Sequence, residues 1–249
     1  MKRLWPLVAL GVGAFIIFAL VTLPAGIVLS RLGSSGIHAG GVSGTIWTGR
    51  AQVLQIQGAH IGSVEWDLHV LPLFAARVSA DVKVTRIDGF ATTKLDAGFG
   101  GRLRLQDLTA SLPLSIIPPH LIPGGWNGTL NGRFAQLTLD NGWPTQVNGT
   151  LEVVELTGPA SNPTKAGSYR IAFDPATASA ELLQGAISDA GDGPLQVSGT
   201  LELRPDRTYK LDTLIAARPD APRSLAQVLE FLGPPDAQGR RQFVTEGSF

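Results

Sequence analysis

The sequence predicts a mainly β protein: an N-terminal single transmembrane helix, a curved antiparallel β-sheet domain, and a short helix near the C-terminus. Three observations carry this expectation. Residues 4–29 contain no charged side chain. Beyond residue 60 the apolar residues recur with a period of two rather than 3.6. Glycine (30) and proline (17) are abundant among the 249 residues, which suits many short strands joined by tight turns. A half-barrel, a folded-over sheet and two similar halves all remain open on this pattern.

The N-terminal run comes first. As one helix, residues 4–29 would extend about 39 Å, more than the roughly 30 Å of a bilayer's hydrocarbon core. Pro24 and Gly26 are the places where it would kink or end. Lys2 and Arg3 precede the run, so the positive-inside rule keeps the N-terminus cytoplasmic and sends the rest of the chain across. A cleaved signal peptide fits less well. Its apolar region is usually about 7–15 residues, and Leu23, two positions before Ala25, spoils the small-x-small cleavage pattern. The expected division is therefore 1–31 as cytoplasmic N-terminus and anchor, 32–40 as a Gly/Ser-rich linker, and 41–249 as a periplasmic β-rich domain. The expected location is the inner membrane, crossed once.

Within the β-rich part, Val64, Trp66, Leu68 and Val70 alternate with Glu65, Asp67 and His69. Val78, Ala80, Val82 and Val84 alternate with Ser79, Asp81, Lys83 and Thr85. Leu103 and Leu105, Leu151 and Val153, Tyr169, Ile171 and Phe173, and Leu201 and Leu203 continue the pattern. Strands of this kind have one apolar and one wet face, which antiparallel sheets tolerate. Asn-Gly at 127, 131, 141 and 148 and Asp-Gly at 88 and 192 are hairpin signals. The first two Asn-Gly steps are too close for both to be tips, so one is expected to mark a bulge.

Residues 113–125, with four prolines, are expected to join two halves at 41–112 and 126–249. Residues 40–54 (GGVSGTIWTGRAQVL) are echoed at 124–137 (GGWNGTLNGRFAQL), which agrees with such a duplication. Ser224 is the expected cap of a helix through Leu225, Val228, Leu229 and Leu232, its apolar side on the sheet.

Composition excludes several functions. Lys+Arg and Asp+Glu both number 20. Lys2, Arg3 and Arg31 lie before residue 32, so residues 32–249 carry 17 basic against 20 acidic side chains, a net of −3. No nucleic-acid-binding face is expected. With no cysteine, disulfides, thiolate metal sites and Cys nucleophiles are excluded. No phosphate-binding, nucleophile-elbow or zinc-protease motif occurs. His60 and His69 have no carboxylate at ligand spacing, and Glu65 and Asp67 read as the wet face of a strand rather than an acid/base pair. No catalytic, cofactor-binding or metal-ligating residue is expected, and no cofactor. An apolar sheet face must still be covered, by folding on itself, by pairing with another half, by a partner or by lipid, and an open edge invites strand addition.

One resemblance adds to this. GVSGTIWTGRA after the apolar run, SVEWDLHVLPLFAARVSADV at 63–82 and LGPPDAQGRRQFVTEGSF at 232–249 together resemble the type II secretion system protein N family. The resemblance implies a non-enzymatic, accessory inner-membrane component of the machinery that exports folded proteins across the outer membrane. It implies partners among the secretin and the inner-membrane platform proteins. The alternative is a lipid-binding envelope protein of AsmA-like type with an apolar groove.

Overall fold

The computed structural model describes residues 5–31, 36–56, 59–98, 100–117, 125–159, 163–176 and 182–248. The chain divides into two units, residues 1–87 and 88–249.

The first unit begins with helix α1 (Trp5–Val21) and helix α2 (Ala25–Arg31). The expected single helix over residues 4–29 is thus broken, and Leu4 lies outside the described residues. Pro24 supplies the reason: it has no N–H to donate, and it disfavours helical backbone at Leu23. The Thr22 hydroxyl donates to the Phe18 carbonyl at 2.8 Å and helps close the last turn of α1. Among the described residues no helix is long and apolar enough to cross a membrane. What α1 does show is a bare apolar surface, with Leu10, Phe15, Phe18, Leu20 and Val21 all exposed.

Strands β1 (Ile37–Gly40), β2 (Ser43–Gly44), β3 (Thr48–Ile56), β4 (Ala59–His69) and β5 (Arg77–Arg86) follow. Their order is β1-β3-β4-β5, all antiparallel, with β2 also on β3. β1 and β2 lie end to end along β3, separated at Gly41, whose φ of 63° turns the chain. The expected linker over 32–40 is therefore corrected at its C-terminal end: residues 37–40 are a paired strand, and residues 32–35 lie outside the described residues. The alternation of β4 and β5 places Val64 and Ala80 in the interior, with Trp66 and Leu68 half-buried beside them.

The second unit is an antiparallel meander. Strands β6 (Gly89–Gly98), β7 (Arg102–Pro113), β8 (Asn127–Asp140), β9 (Trp143–Thr157), β10 (Lys165–Phe173), β11 (Leu183–Asp189), β12 (Leu195–Leu203), β13 (Thr208–Ala217) and β14 (Arg241–Ser248) lie side by side in sequence order. Helix α3 (Arg223–Glu230) interrupts the meander before β14 and packs Leu229 into the interior. Its N-cap is Pro222, so Ser224 falls one residue inside the helix rather than capping it. The proline-rich segment joins β7 to β8, which pair directly from Arg102↔Asp140 to Pro113↔Thr129; residues 118–124 lie outside the described residues.

Of the Asn-Gly steps, Asn141-Gly142 is a hairpin tip. Asp140 and Trp143 pair across it, and both central residues have positive φ (48° and 81°), the signature of a type I′ turn. The steps at 127, 131 and 148 are inside β8 and β9. The register shifts between Asn127 and Thr129, the expected bulge. The echoed segments are also built differently. The first copy is a tight β2–β3 turn, with Gly44 paired to Gly49, whereas the second runs into the long strand β8.

The sheet is open among the described residues, and none of the described large side chains is completely buried. Alternation produced a half-buried apolar face rather than a thick core.

Candidate functional site

In the first unit, the segment between α1 and α2 is tied to the start of the sheet. The Trp47 indole N–H donates to the Leu20 carbonyl at 2.9 Å. The Ile46 amide donates to the Leu23 carbonyl at 3.0 Å, and Pro24 forms an isolated bridge with Thr45. On the sheet side, the Leu68 amide donates to the Trp47 carbonyl at 2.5 Å, and the Trp66 indole N–H donates to the Ile46 carbonyl at 3.1 Å. Carbonyls left over at a helix end need donors. Here a strand-entry segment provides them for Leu20 and Leu23, so α1 cannot swivel freely on the sheet. The Trp66 ring lies over β3 because Gly49 faces it: a Cβ at Gly49 would sit 2.5 Å from the ring. Beneath the junction, Ala25, Val28, Leu29, Ile46, Trp66 and Leu68 line an apolar hollow of about 340 Å³. The sequence's alternation put Trp66 on the apolar face of its strand. It did not show that both indoles are the donors of this junction, because the acceptors are backbone carbonyls some 20 to 27 residues away.

The polar face of the same sheet holds the sequence's acid candidates. Glu65 pairs with Arg50, and Asp67 accepts from the Thr48 hydroxyl at 3.3 Å. Asp81 stands directly opposite Asp67, a like-charge juxtaposition, and its Oδ2 is 3.1 Å from His69 Nε2. Ser79 Oγ is 3.5 Å from His69 Nδ1. This Ser79–His69–Asp81 grouping was hidden in the sequence, since it depends on the β4–β5 register. His69 and Asp81 are each about half exposed on a flat strand surface, where water screens their interaction. His60 lies at the far end of β4, its Nδ1 3.1 Å from Gln55. The structure therefore does not bring His60 and His69 together. Among the described residues, no three His, Cys, Asp or Glu side chains are grouped to hold a metal.

In the second unit a polar latch holds the loop between β11 and β12. Asp192 accepts from both the amide and the hydroxyl of Ser168, each at 2.8 Å. These hydrogen bonds, the hydroxyl's first, hold the Asp192 carboxyl below its ordinary range. Asp189 pairs with Arg218 and accepts from the amides of Val197 (2.9 Å) and Gly191 (3.0 Å). Tyr169 donates to the Ala166 carbonyl at 2.7 Å. Burial, and then the charges of Asp189 and Asp192, raise its phenol above the usual value, while Arg218 opposes them. The latch tightens a loop and leaves the sheet edge alone. Beyond it, β14 has a single partner, β13, among the described residues, and carries Gln242, Val244 and Glu246 exposed.

These features define an antiparallel β-sheet protein with an apolar N-terminal helix fastened to its first strands and a last strand that, among the described residues, is paired on one side only. The chain belongs to the family described as type II secretion system (T2SS), protein N, which matches residues 35–244. It is similar to the type II secretion system protein N of Aeromonas hydrophila, 29% identical over 250 residues and 96% of each chain. It is equally similar to that of Vibrio cholerae serotype O1, 29% identical over 239 residues and 91% of each chain. No solved structure matches it.

Proposed function

We propose that the chain is an accessory component of the type II secretion system, held at the inner membrane by α1, with residues 41–249 in the periplasm. In this role it contributes to assembly or stability of the export machinery and performs no catalysis. Family membership over residues 35–244 is the observation that carries the reading. Three structural features support it. The exposed side chains of α1 are apolar and belong in lipid rather than water. The Trp47–Leu20 bond transmits the orientation of α1 to the sheet. The outer edge of β14 presents a row of backbone donors and acceptors to which a partner strand can add. The partners are the secretin, the inner-membrane platform proteins, or both. The polar groups of the first unit form a solvated ladder, which suits solubility better than chemistry.

The apolar hollow favours a second reading, lipid binding of AsmA-like type. At about 340 Å³ it is at the small end of ligand pockets.

Crosslinking in native cells, followed by detergent extraction and lipid analysis of the same sample, separates the two. Recovery of the secretin or a platform protein is expected. Recovery of neither, with stoichiometric phospholipid on the purified chain, would replace the first reading by the second.

A further inference from the structure

The segment between β4 and β5 is a 3₁₀ turn, Leu71–Ala75, in the sequence Val70-Leu-Pro-Leu-Phe-Ala-Ala76. All seven residues are uncharged. Leu71 is 81% exposed and Phe74 87%, and Val70 and Val78 on the flanks are also largely open. Scattered exposed apolar residues are ordinary on protein surfaces; two large ones side by side on a built turn are not.

The turn is well fixed. The Leu73 amide donates to the Val70 carbonyl at 3.2 Å, and the Ala76 amide to the Leu73 carbonyl at 3.0 Å. Ala76 closes it in the left-handed region (φ 55°), so the chain enters β5 at once. In 3₁₀ geometry residues i and i+3 eclipse. Leu71 and Phe74 therefore project on one side, as a pair, from a backbone that is already fixed and has little entropy of its own left to lose on burial.

Its position singles out one occupant. Leu68 is bonded through its amide to Trp47, and Trp47 through its indole to Leu20 at the end of α1. Leu71 is three residues beyond Leu68, so at most about 10 Å of chain separates them. The turn thus stands at the end of the sheet where α1 leaves it. Phe18, Leu20 and Val21, in the last turn of α1, are exposed and apolar in the same way. Arg77, exposed at the start of β5, puts a cation beside the apolar turn, the pairing that suits an interface with lipid phosphates.

We infer that the Leu71–Phe74 turn is a second membrane contact, a wedge that dips into the interface of the same leaflet from which α1 emerges. With α1 it gives the sheet two attachment points and so sets its tilt on the membrane. The inference rests on the reading of α1 as a membrane anchor, and the test keeps the two apart.

The natural chain has no cysteine, so single labels can be placed on the full protein without background. Environment-sensitive fluorophores at Phe74→Cys, Leu71→Cys, Leu10→Cys in α1 and Thr85→Cys at the far end of β5 would be read in vesicles. The vesicles contain phosphatidylethanolamine, phosphatidylglycerol and a lipid with a nitroxide high on its acyl chain. The expected result is a blue shift and nitroxide quenching at positions 71 and 74, and neither at 85. Quenching at 10 with none at 74 or 71 overturns the wedge and leaves the anchor standing. No quenching at 10 overturns the anchor reading and the wedge with it. A blue shift at 74 without quenching would mean a protein surface, such as a second copy, covers the turn, and also overturns the inference. Both labelled turn positions point outward, so folding is not at stake.

Discussion

The indole N–H of Trp47 donates to the carbonyl of Leu20 across 2.9 Å, joining the last turn of the apolar helix to the first turn of the sheet. Trp47→Phe keeps the ring and removes the donor. A neutral hydrogen bond of this kind contributes about 1 kcal/mol net, which corresponds to a roughly fivefold change in a local opening equilibrium. Hydrogen exchange at the Ile46 amide and proteolysis between α1 and α2 should both accelerate by about that factor. Unchanged exchange would show that the Ile46–Leu23 bond holds the junction alone.

The Asp189–Arg218 pair is the largely shielded one, with Asp189 12% exposed; Arg50–Glu65 lies open at 58% and 39%. Asp189→Ala leaves two backbone amides without their acceptor and Arg218 without its carboxylate partner, with the Leu195 carbonyl at 3.5 Å remaining to it, and should cost about 1.5–3 kcal/mol. Glu65→Ala should cost about 0–1 kcal/mol, as exposed pairs do. Urea midpoints of the two variants at equal slope give the comparison.

Acid should weaken the second unit through Asp192. Its folded carboxyl titrates below the ordinary 3.8. The stabilisation is therefore complete above that unfolded value and is lost as pH falls through it towards the lower folded value. Asp192→Asn cannot titrate, so its stability should fall less steeply between about pH 5 and pH 3 than that of the natural chain. Parallel curves would mean the Ser168 hydrogen bonds add nothing to the acid limb.

Gly149 sits in the middle of β9 with φ near 150°, and a Cβ there would overlap the Arg133 carbonyl and the Phe134 backbone. Gly149→Ala should destabilise by about 1–3 kcal/mol. Gly98→Ala has open space around it and should stay within about 0.5 kcal/mol. Chemical denaturation followed by circular dichroism distinguishes them.

Gly149 also shows where the sequence stops being readable. Asn148-Gly149 looks like the hairpin tip at Asn141-Gly142, yet one is a mid-strand approach of two backbones and the other a turn. Only the register, set by pairing between distant residues, separates them. Period-two alternation made the strands and the antiparallel class legible, because side-chain direction in a strand is local. The break at Pro24 was legible as a place to kink. What the sequence could not show is that the freed carbonyls at the end of α1 are taken by Ile46 and Trp47. The grouping of Ser79, His69 and Asp81 was hidden for the same reason, being a product of register.

The most direct measurement concerns the edge of β14. A photocrosslinking residue at Val244, exposed on that edge, would be placed in the full chain in cells with an active type II secretion system, with a matching residue at Asn141 in the β8–β9 turn as control. An adduct to the secretin or an inner-membrane platform protein from position 244, and none from 141, is the expected result. Adducts from 244 that contain only lipid, or no component of the secretion machinery, would contradict the assignment.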